Sequence, residues 1–320
     1  MAAERDTLVI GTRGSKLALW QANYVKGLVE KITGLPVSLT IIKTTGDKVL
    51  DVPLAKVGGK GLFTKEIEVE LAAGTIDLAV HSMKDVPTEL PEGLVIAGMP
   101  PRVDPRDAIV SGAGYDPSTL PQGGTVGTSS LRRRSQLLAL RPDAVIVDVR
   151  GNLDTRMCKG EQGEPDAVIL AAAGITRMGW ADRITHYIDP AQMTPAVGQG
   201  AIGIEIRDDD AFMHGVCDAF SDPQTLACVS AERVVMCRLE GGCQVPIGAY
   251  CRPDGVGELV IDAFVGSIDG THLIRETLRG LASDPVKLGE AMTQRLLGLG
   301  AGEILAEVRD AADVEELLSK

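Results

Sequence analysis

The sequence predicts an α/β protein: two α/β lobes followed by a small α+β domain. Three observations carry that prediction. Apolar, β-branched runs alternate with stretches of helical apolar spacing through the first two thirds of the chain. The alternation restarts after Pro100, Pro101 and Pro105, and the last third changes to short strands separated by turns. Strand–helix–strand order implies right-handed crossovers and a largely parallel sheet in each lobe, whereas closely spaced short strands form an antiparallel meander. At roughly 100–200 residues per domain, 320 residues make two or three domains.

The first lobe opens with a strand at Leu8–Ile10 and a helix over Leu17–Ile32, with Ser15 as N-cap and Gly34 as stop signal. Val37–Ile42 is a strand, Phe63–Ala73 a helix ended by Gly74, and Ile76–Val80 and Leu94–Ala97 are strands. In the second lobe, strands fall at Ala108–Val110, Thr125–Gly127, Ala144–Val147 and Ala167–Leu170, with helices over Ser130–Leu140 and Leu153–Lys159. The passage Pro195–Gly200 leads into the strand Ala201–Ile206, which returns to the first lobe and makes the crossing a double hinge. The expected division is therefore residues 1–100 with 200–220, residues 101–199, and residues 221–320. In the last of these, Asp222 caps a helix with Pro223 at its first position, running to about Leu239. Strands at Ile247–Tyr250, Leu259–Val265 and His272–Leu278 follow, then a final helix over Pro285–Leu297 between Asp284 and Gly298. The sequence contains no internal repeat and no low-complexity tract.

Hydrophobic residues make up 44% of the chain and aromatics only 3%, so the cores are expected to be built from Ala, Val, Leu and Ile. A formal net charge of −12 argues against nucleic acid or an anionic membrane as partner, since both reward a basic face. The residues from Met1 to Ile10 lack the apolar core of a signal peptide and the basic character of a transit peptide. The longest weakly charged stretch, Ala167–Ile175, is too short to span a bilayer, and the expected location is the cytoplasm. The six cysteines, Cys158, Cys217, Cys228, Cys237, Cys243 and Cys251, form no C-x-x-C pair, and no histidine stands at ligand spacing. Free thiols and no metal site are expected.

In an acidic chain a cluster of arginines is informative. Arg13 follows a strand in Gly11-Thr12-Arg13-Gly14-Ser15; Arg132, Arg133 and Arg134 follow Gly127-Thr128-Ser129-Ser130; Arg150, Arg156 and Arg177 lie after further strands. Ligands of open α/β sheets bind outside the carboxyl ends of strands. Helix N-termini at Ser15 and Ser129 add backbone donors for anions. Arginine grips carboxylate and phosphate bidentately, so the set points to a ligand with several such groups. Any one arginine alone reads more readily as a solvated surface residue; it is the set together that points to a ligand. Successive helical residues point about 100° apart, so Arg134 is given no role beside Arg132 and Arg133.

His81-Ser82-Met83-Lys84-Asp85-Val86-Pro87 also follows a strand. A carboxylate there can stabilise a developing cation or shuttle a proton; alone, Asp85 reads equally as a turn residue, and His81 as structural. In Leu239-Glu240-Gly241-Gly242-Cys243-Gln244, two glycines open the backbone around Cys243, which makes it a candidate nucleophile. Taken alone, a buried inert thiol is the commoner case. Gly58-Gly59-Lys60-Gly61 lacks P-loop spacing. The segment Thr45–Lys60 is long for a connection and is expected to be a mobile lid in which Lys56 and Lys60 reach ligand carboxylates.

Together with Arg150-Gly151-Asn152, Thr155-Arg156, Pro195-Ala196-Val197-Gly198-Gln199-Gly200 and Cys243-Gln244-Val245-Pro246, these segments resemble the hydroxymethylbilane synthase (porphobilinogen deaminase) family over nearly the whole chain. The resemblance implies paired lobes like those of periplasmic binding proteins, with the active cleft between them, and a third domain whose Cys243 carries a dipyrromethane cofactor as a thioether. It assigns Asp85 as the catalytic aspartate, and Lys84, Asp85, Ser129, Arg132, Arg133 and Arg156 as cofactor contacts. Arg13, Ser15, Phe63, Arg150, Arg156 and Arg177 match substrate contacts. It implies a monomeric enzyme that deaminates porphobilinogen to an electron-poor azafulvenium, joins four such units and releases the linear tetrapyrrole to water. The competing reading, a binding protein for a small polycarboxylate, explains the arginines but leaves Asp85, the third domain and the Gly-Gly-Cys loop without a purpose.

Overall fold

The computed structural model describes residues 6–48, 61–239 and 245–318. Their contacts separate two units: one holds residues 6–48, 61–103 and Ala201–Leu226, the other Asp104–Gly200 with 227–239 and 245–318.

The first unit begins with β1 (Leu8–Thr12), α1 (Lys16–Thr33), β2 (Val37–Ile41), the single turn α2 (Thr45–Lys48), α3 (Lys65–Ala72), β3 (Leu78–Ser82) and β4 (Leu94–Gly98). The signals that delimit α1 are local. The Ser15 hydroxyl accepts the Ala18 N–H at 3.2 Å, and Gly34, at φ 70°, donates its N–H to the Glu30 carbonyl. The helix buries Ala18, Ala22, Val25 and Val29, one stripe at helical spacing; the last three pack with Leu8, Ile10 and Leu78 of the sheet.

The second unit continues with β5 (Asp107–Val110), β6 (Thr125–Gly127), α4 (Leu131–Leu140), β7 (Val145–Val147), α5 (Leu153–Gln162), β8 (Ala167–Ala171), α6 (Ala172–Arg177) and β9 (His186–Tyr187). β10 (Ile202–Arg207) and α7 (Ala211–Phe220) then return to the first unit. The chain ends with α8 (Pro223–Arg238), β11 (Ile247–Pro253), β12 (Glu258–Gly266), β13 (Leu273–Leu281), α9 (Pro285–Gly298) and α10 (Ala301–Leu318).

Two five-stranded sheets share one plan. The first has the order β2-β1-β3-β10-β4, with β1 parallel to β2 and β3, and β10 antiparallel to both its neighbours. The second has the order β7-β6-β8-β5-β9, with β6 parallel to its neighbours and β5 antiparallel to both. Both sheets are therefore mixed, where a largely parallel arrangement was expected. The odd strand in each is the one that the chain supplies on crossing between units, so no right-handed βαβ connection dictates its direction. β10 joins the first sheet between β3 and β4. The third sheet, β11-β12-β13, is the antiparallel meander anticipated, and Ala231 and Val235 of α8 pack on it with Leu288, Met292 and Leu296 of α9.

Several boundaries differ from expectation. Phe63 lies in the turn before α3, which starts only at Lys65. The helices α6 and α10 and the short β9 carried weak local signals: α6 continues a strand without a polar break, and α10 follows the left-handed Gly300 at φ 96° rather than ending the chain at α9. The helix α7 does carry one, since the Asp210 carboxylate accepts the Met213 N–H at 3.1 Å as its N-cap. Among the described residues, no helix is long and apolar enough to cross a membrane.

The aromatic-poor composition shows in the cores. Phe264 is the one aromatic among the largest fully buried side chains, which are otherwise Leu, Ile and Met. Phe264→Ala is expected to lower stability by about 3–5 kcal/mol, the scale for deleting a buried aromatic ring, as read from denaturant unfolding; a loss under ~1 kcal/mol would contradict the packing described for β12.

Candidate active site

In the first unit, β1 and β3 are adjacent and parallel, so the residues that follow them lie at the same edge of the sheet. Arg13 and Ser15 follow β1; Lys84 and Asp85 follow β3 in the 3-10 turn Met83–Asp85. Met83 and Val86 are buried on either side of the half-buried Lys84 and Asp85, and the Met83 N–H donates to the Ala201 carbonyl at 3.1 Å. The turn is thus pinned by its apolar members. Upstream, His81 is buried and its Nε2 lies 2.8 Å from the Glu205 carboxylate of β10, which gives it the structural role expected.

Arg13 donates to the Asp47 carboxylate at 2.5 Å, and its guanidinium sits 4.1 Å from the centre of the Phe63 ring. Asp47 also accepts the hydroxyl of Thr44 at 2.8 Å. A side chain at Gly46 would meet that ring at 2.1 Å, so glycine allows the close approach of α2. Burial opposes ionisation of Asp47, but the hydrogen bonds and charge of Arg13, with Thr44, outweigh it and hold its pKa below the ordinary carboxylate value of 3.8. The Ser15 hydroxyl accepts the Ala18 N–H as the N-cap of α1. Asp47 was not singled out from the sequence.

In the second unit, β7, β6 and β8 are adjacent and parallel. Ser129, Arg132 and Arg133 follow β6; Arg150 follows β7, with Arg156 in the first turn of α5; Arg177 ends α6 after β8. The structure therefore brings all six to the carboxyl edge of three neighbouring strands, where the strand-end argument put them. Arg177 donates to the Gly200 carbonyl at 2.8 Å, and the Ser129 hydroxyl to that of Val149 at 3.3 Å. The cap of α4 is Ser130, which accepts the Arg133 N–H, rather than Ser129. Arg134 is exposed while Arg132 and Arg133 are buried, as helical geometry requires.

Arg132 and Arg133 converge on a residue absent from the sequence reading. Asp107, at the start of β5, is fully buried and accepts from Arg132 Nη1 at 2.7 Å, Arg132 Nη2 at 3.1 Å, Arg133 Nε at 3.0 Å and Arg133 Nη2 at 2.8 Å. Gln199 Nε2 adds a bond at 3.1 Å. Burial alone would favour the neutral acid; the charges of Arg132 and Arg133 and the hydrogen bonds dominate and hold Asp107 far below the usual carboxylate range. The available signal was an acid opening an otherwise apolar strand, since a fully buried carboxylate must be paired. Cys243, Lys56 and Lys60 lie outside the described residues, as does the expected lid beyond Lys48.

Arginines gathered at one sheet edge and a Lys–Asp turn at the edge of another mark this as a mixed α/β protein with guanidinium groups at strand ends. Comparison with known proteins resolves the particular case. Residues 8–215 match the model for the porphobilinogen deaminase dipyromethane cofactor binding domain, and residues 226–298 that for the porphobilinogen deaminase C-terminal domain. The chain is 54% identical over 300 residues to the porphobilinogen deaminase of Syntrophobacter fumaroxidans, covering 93% of this chain and 97% of that one. It is 52% identical over 313 residues to that of Geobacter metallireducens, covering 97% and 98%. Among solved structures, the methionine binding protein MetQ overlaps 67% of this chain and 90% of its own at 14% identity and a TM-score of 0.41. A probable amino-acid ABC transporter extracellular-binding protein of Bacillus subtilis overlaps 68% and 90% at 12% identity and a TM-score of 0.39. The chain belongs to the porphobilinogen deaminase family. Its members are transferases of tetrapyrrole biosynthesis that act on porphobilinogen with a dipyrromethane cofactor.

The Arg13–Asp47 pair has a pH signature. Because the folded pKa of Asp47 lies below its ordinary 3.8, the pair stabilises the fold above that pH and loses its contribution as pH falls through the folded value. Asp47→Asn is expected to cost about 1 kcal/mol at neutral pH, with the gap to the parent closing as unfolding is followed below pH 3.8. A gap independent of pH would show that the ion pair is not its origin.

Proposed function

We propose that the chain assembles hydroxymethylbilane from four porphobilinogen molecules as a cytoplasmic monomer, with residues 1–100 and 200–220, 101–199 and 221–320 as its three functional parts. The observation that carries this reading is the gathering of Ser129, Arg132, Arg133, Arg150, Arg156 and Arg177 at one sheet edge, with Arg13, Lys84 and Asp85 at the corresponding edge of the first sheet. The donor chemistry fits a polycarboxylate: five of the six on the second sheet are guanidinium groups, the side chains best suited to bind carboxylates in pairs of bonds. Residues that would hold the dipyrromethane are Lys84, Asp85, Ser129, Arg132, Arg133 and Arg156, with Cys243 as its covalent anchor. When bound, that group supplies the pyrrole carbon at which the product grows.

The remaining work falls to the chain's own side chains. Arg13, Ser15, Arg150, Arg156 and Arg177 orient the acetate and propionate arms of porphobilinogen, and Phe63 presents a ring face for its pyrrole. Asp85 stabilises the cation left when porphobilinogen loses ammonia, and then takes the α-proton once the new carbon–carbon bond has formed. Lys56 and Lys60 supply further cations for the ligand's carboxylates in the lid role expected of their segment. Free Cys158 and Cys237 at the surface suit a reducing cytoplasm.

Asp85→Asn keeps the side chain's shape but removes its charge and its ability to take a proton. Porphobilinogen consumption by this variant is expected to fall by roughly 10²–10⁴, the scale of a general acid–base group, while its melting temperature stays at the parent's value. Near-normal consumption would remove Asp85 from the mechanism.

A further inference from the structure

We infer that Asp107 is a positioning residue: it locks the Arg132 and Arg133 guanidinium groups into one fixed array that completes its hydrogen bonding on a ligand carboxylate. The inference rests on the proposed reading of Arg132 and Arg133 as contacts of the cofactor's carboxylates.

The charge count motivates it. Among the described residues, Arg132 and Arg133 have Asp107 as their one carboxylate partner. All three side chains are buried, so two cations share a single anion and the cluster carries a net positive charge where water is scarce. A buried ion cluster left out of balance is costly. An anionic group brought to this edge restores the balance.

The donors give the same answer. A guanidinium has five N–H donors. Arg132 places three on protein oxygens, two on Asp107 and one on the Thr194 carbonyl. Arg133 also places three, two on Asp107 and one on the Ile169 carbonyl. Each retains donors for a further acceptor. Left to themselves, the neighbouring cations would repel and their long side chains would sample many rotamers. Five hydrogen bonds to one fully buried carboxylate, counting that from Gln199, remove that freedom before any ligand arrives, the condition under which fixed donors bind most effectively. Asp107 lies at the base of this array and touches no ligand itself in this scheme, which is why it positions rather than binds.

The test uses the purified full-length chain and two readouts, its melting temperature and the fraction of molecules whose denatured mass includes a covalent dipyrromethane. Asp107→Asn is expected to fold with a reduced melting temperature and to show a loaded fraction at least about tenfold below the parent's, the effect of losing a charge-assisted hydrogen bond. A purely structural Asp107 would lower the melting temperature and leave the folded molecules fully loaded; that result overturns the inference. Arg132→Leu and Arg133→Leu run alongside. If they lose loading while Asp107→Asn loads normally, the positioning role alone falls. If all three load normally, the reading of the arginines as carboxylate ligands falls with it. Should Asp107→Asn fail to accumulate as folded protein, Gln199→Leu withdraws one of the five bonds and is read in the same way: a several-fold lower loaded fraction supports the inference, and full loading overturns it.

Discussion

The carboxylate of Asp107 is the point on which the arginine-bearing edge of the second unit depends. It begins β5, the one strand of that sheet that runs antiparallel to both neighbours, and it is fully buried. A naked charge in that position would be prohibitive. Its five donors come from the first turn of α4 and from Gln199 in the passage that leads to β10. Gln199 also donates to the Pro105 carbonyl at 2.7 Å, and Arg133 to the Ile169 carbonyl of β8 at 2.9 Å. One anion thereby fixes the start of β5, the orientation of α4 and the course of residues 194–199.

The same passage is held from the C-terminal region. Glu232 of α8 accepts the Gly198 N–H at 2.7 Å through one oxygen and the Cys251 N–H of β11 at 2.8 Å through the other. Arg275 of β13 donates to the carbonyls of Ala191 and Gln192, and Gln136 of α4 exchanges hydrogen bonds with the backbone of Thr194 at 2.8 and 3.2 Å. Side chains at Gly266 and Gly270 would collide with Ser135 at 2.3 and 2.5 Å, so small residues permit β12 and its hairpin to lie against α4. The helix that leads toward Cys243 and the helix that carries Arg132 and Arg133 are therefore gripped through one short segment.

Much of this was legible in the sequence, because the relevant signals are local. Ser15 and Gly34 delimit α1, Asp222 and Pro223 open α8, and alternation revealed the β11–β13 meander. Strand ends followed by arginines marked the edge of the second sheet correctly, since a parallel strand and its following loop carry their direction with them. Direction was misread where the information is nonlocal: β5 and β10 join their sheets antiparallel because of where the chain crosses, which no window of residues records. Asp107 and Asp47 were missed for a related reason. An acid's burial is set by partners far along the chain, and Arg132 stands 25 residues from Asp107 while Arg13 stands 34 from Asp47. The short α6 and the late α10 escaped because neither has a polar break or cap strong enough to announce it.

On the function proposed above, Cys243 anchors a dipyrromethane whose carboxylates these arginines hold. The most direct measurement is the mass of the intact protein after denaturation, taken on an active preparation and on Cys243→Ser. The parent is expected to exceed its sequence mass by that of a covalent dipyrromethane, and the serine variant to have neither the added mass nor the activity. An active parent with the mass of the bare polypeptide would contradict it.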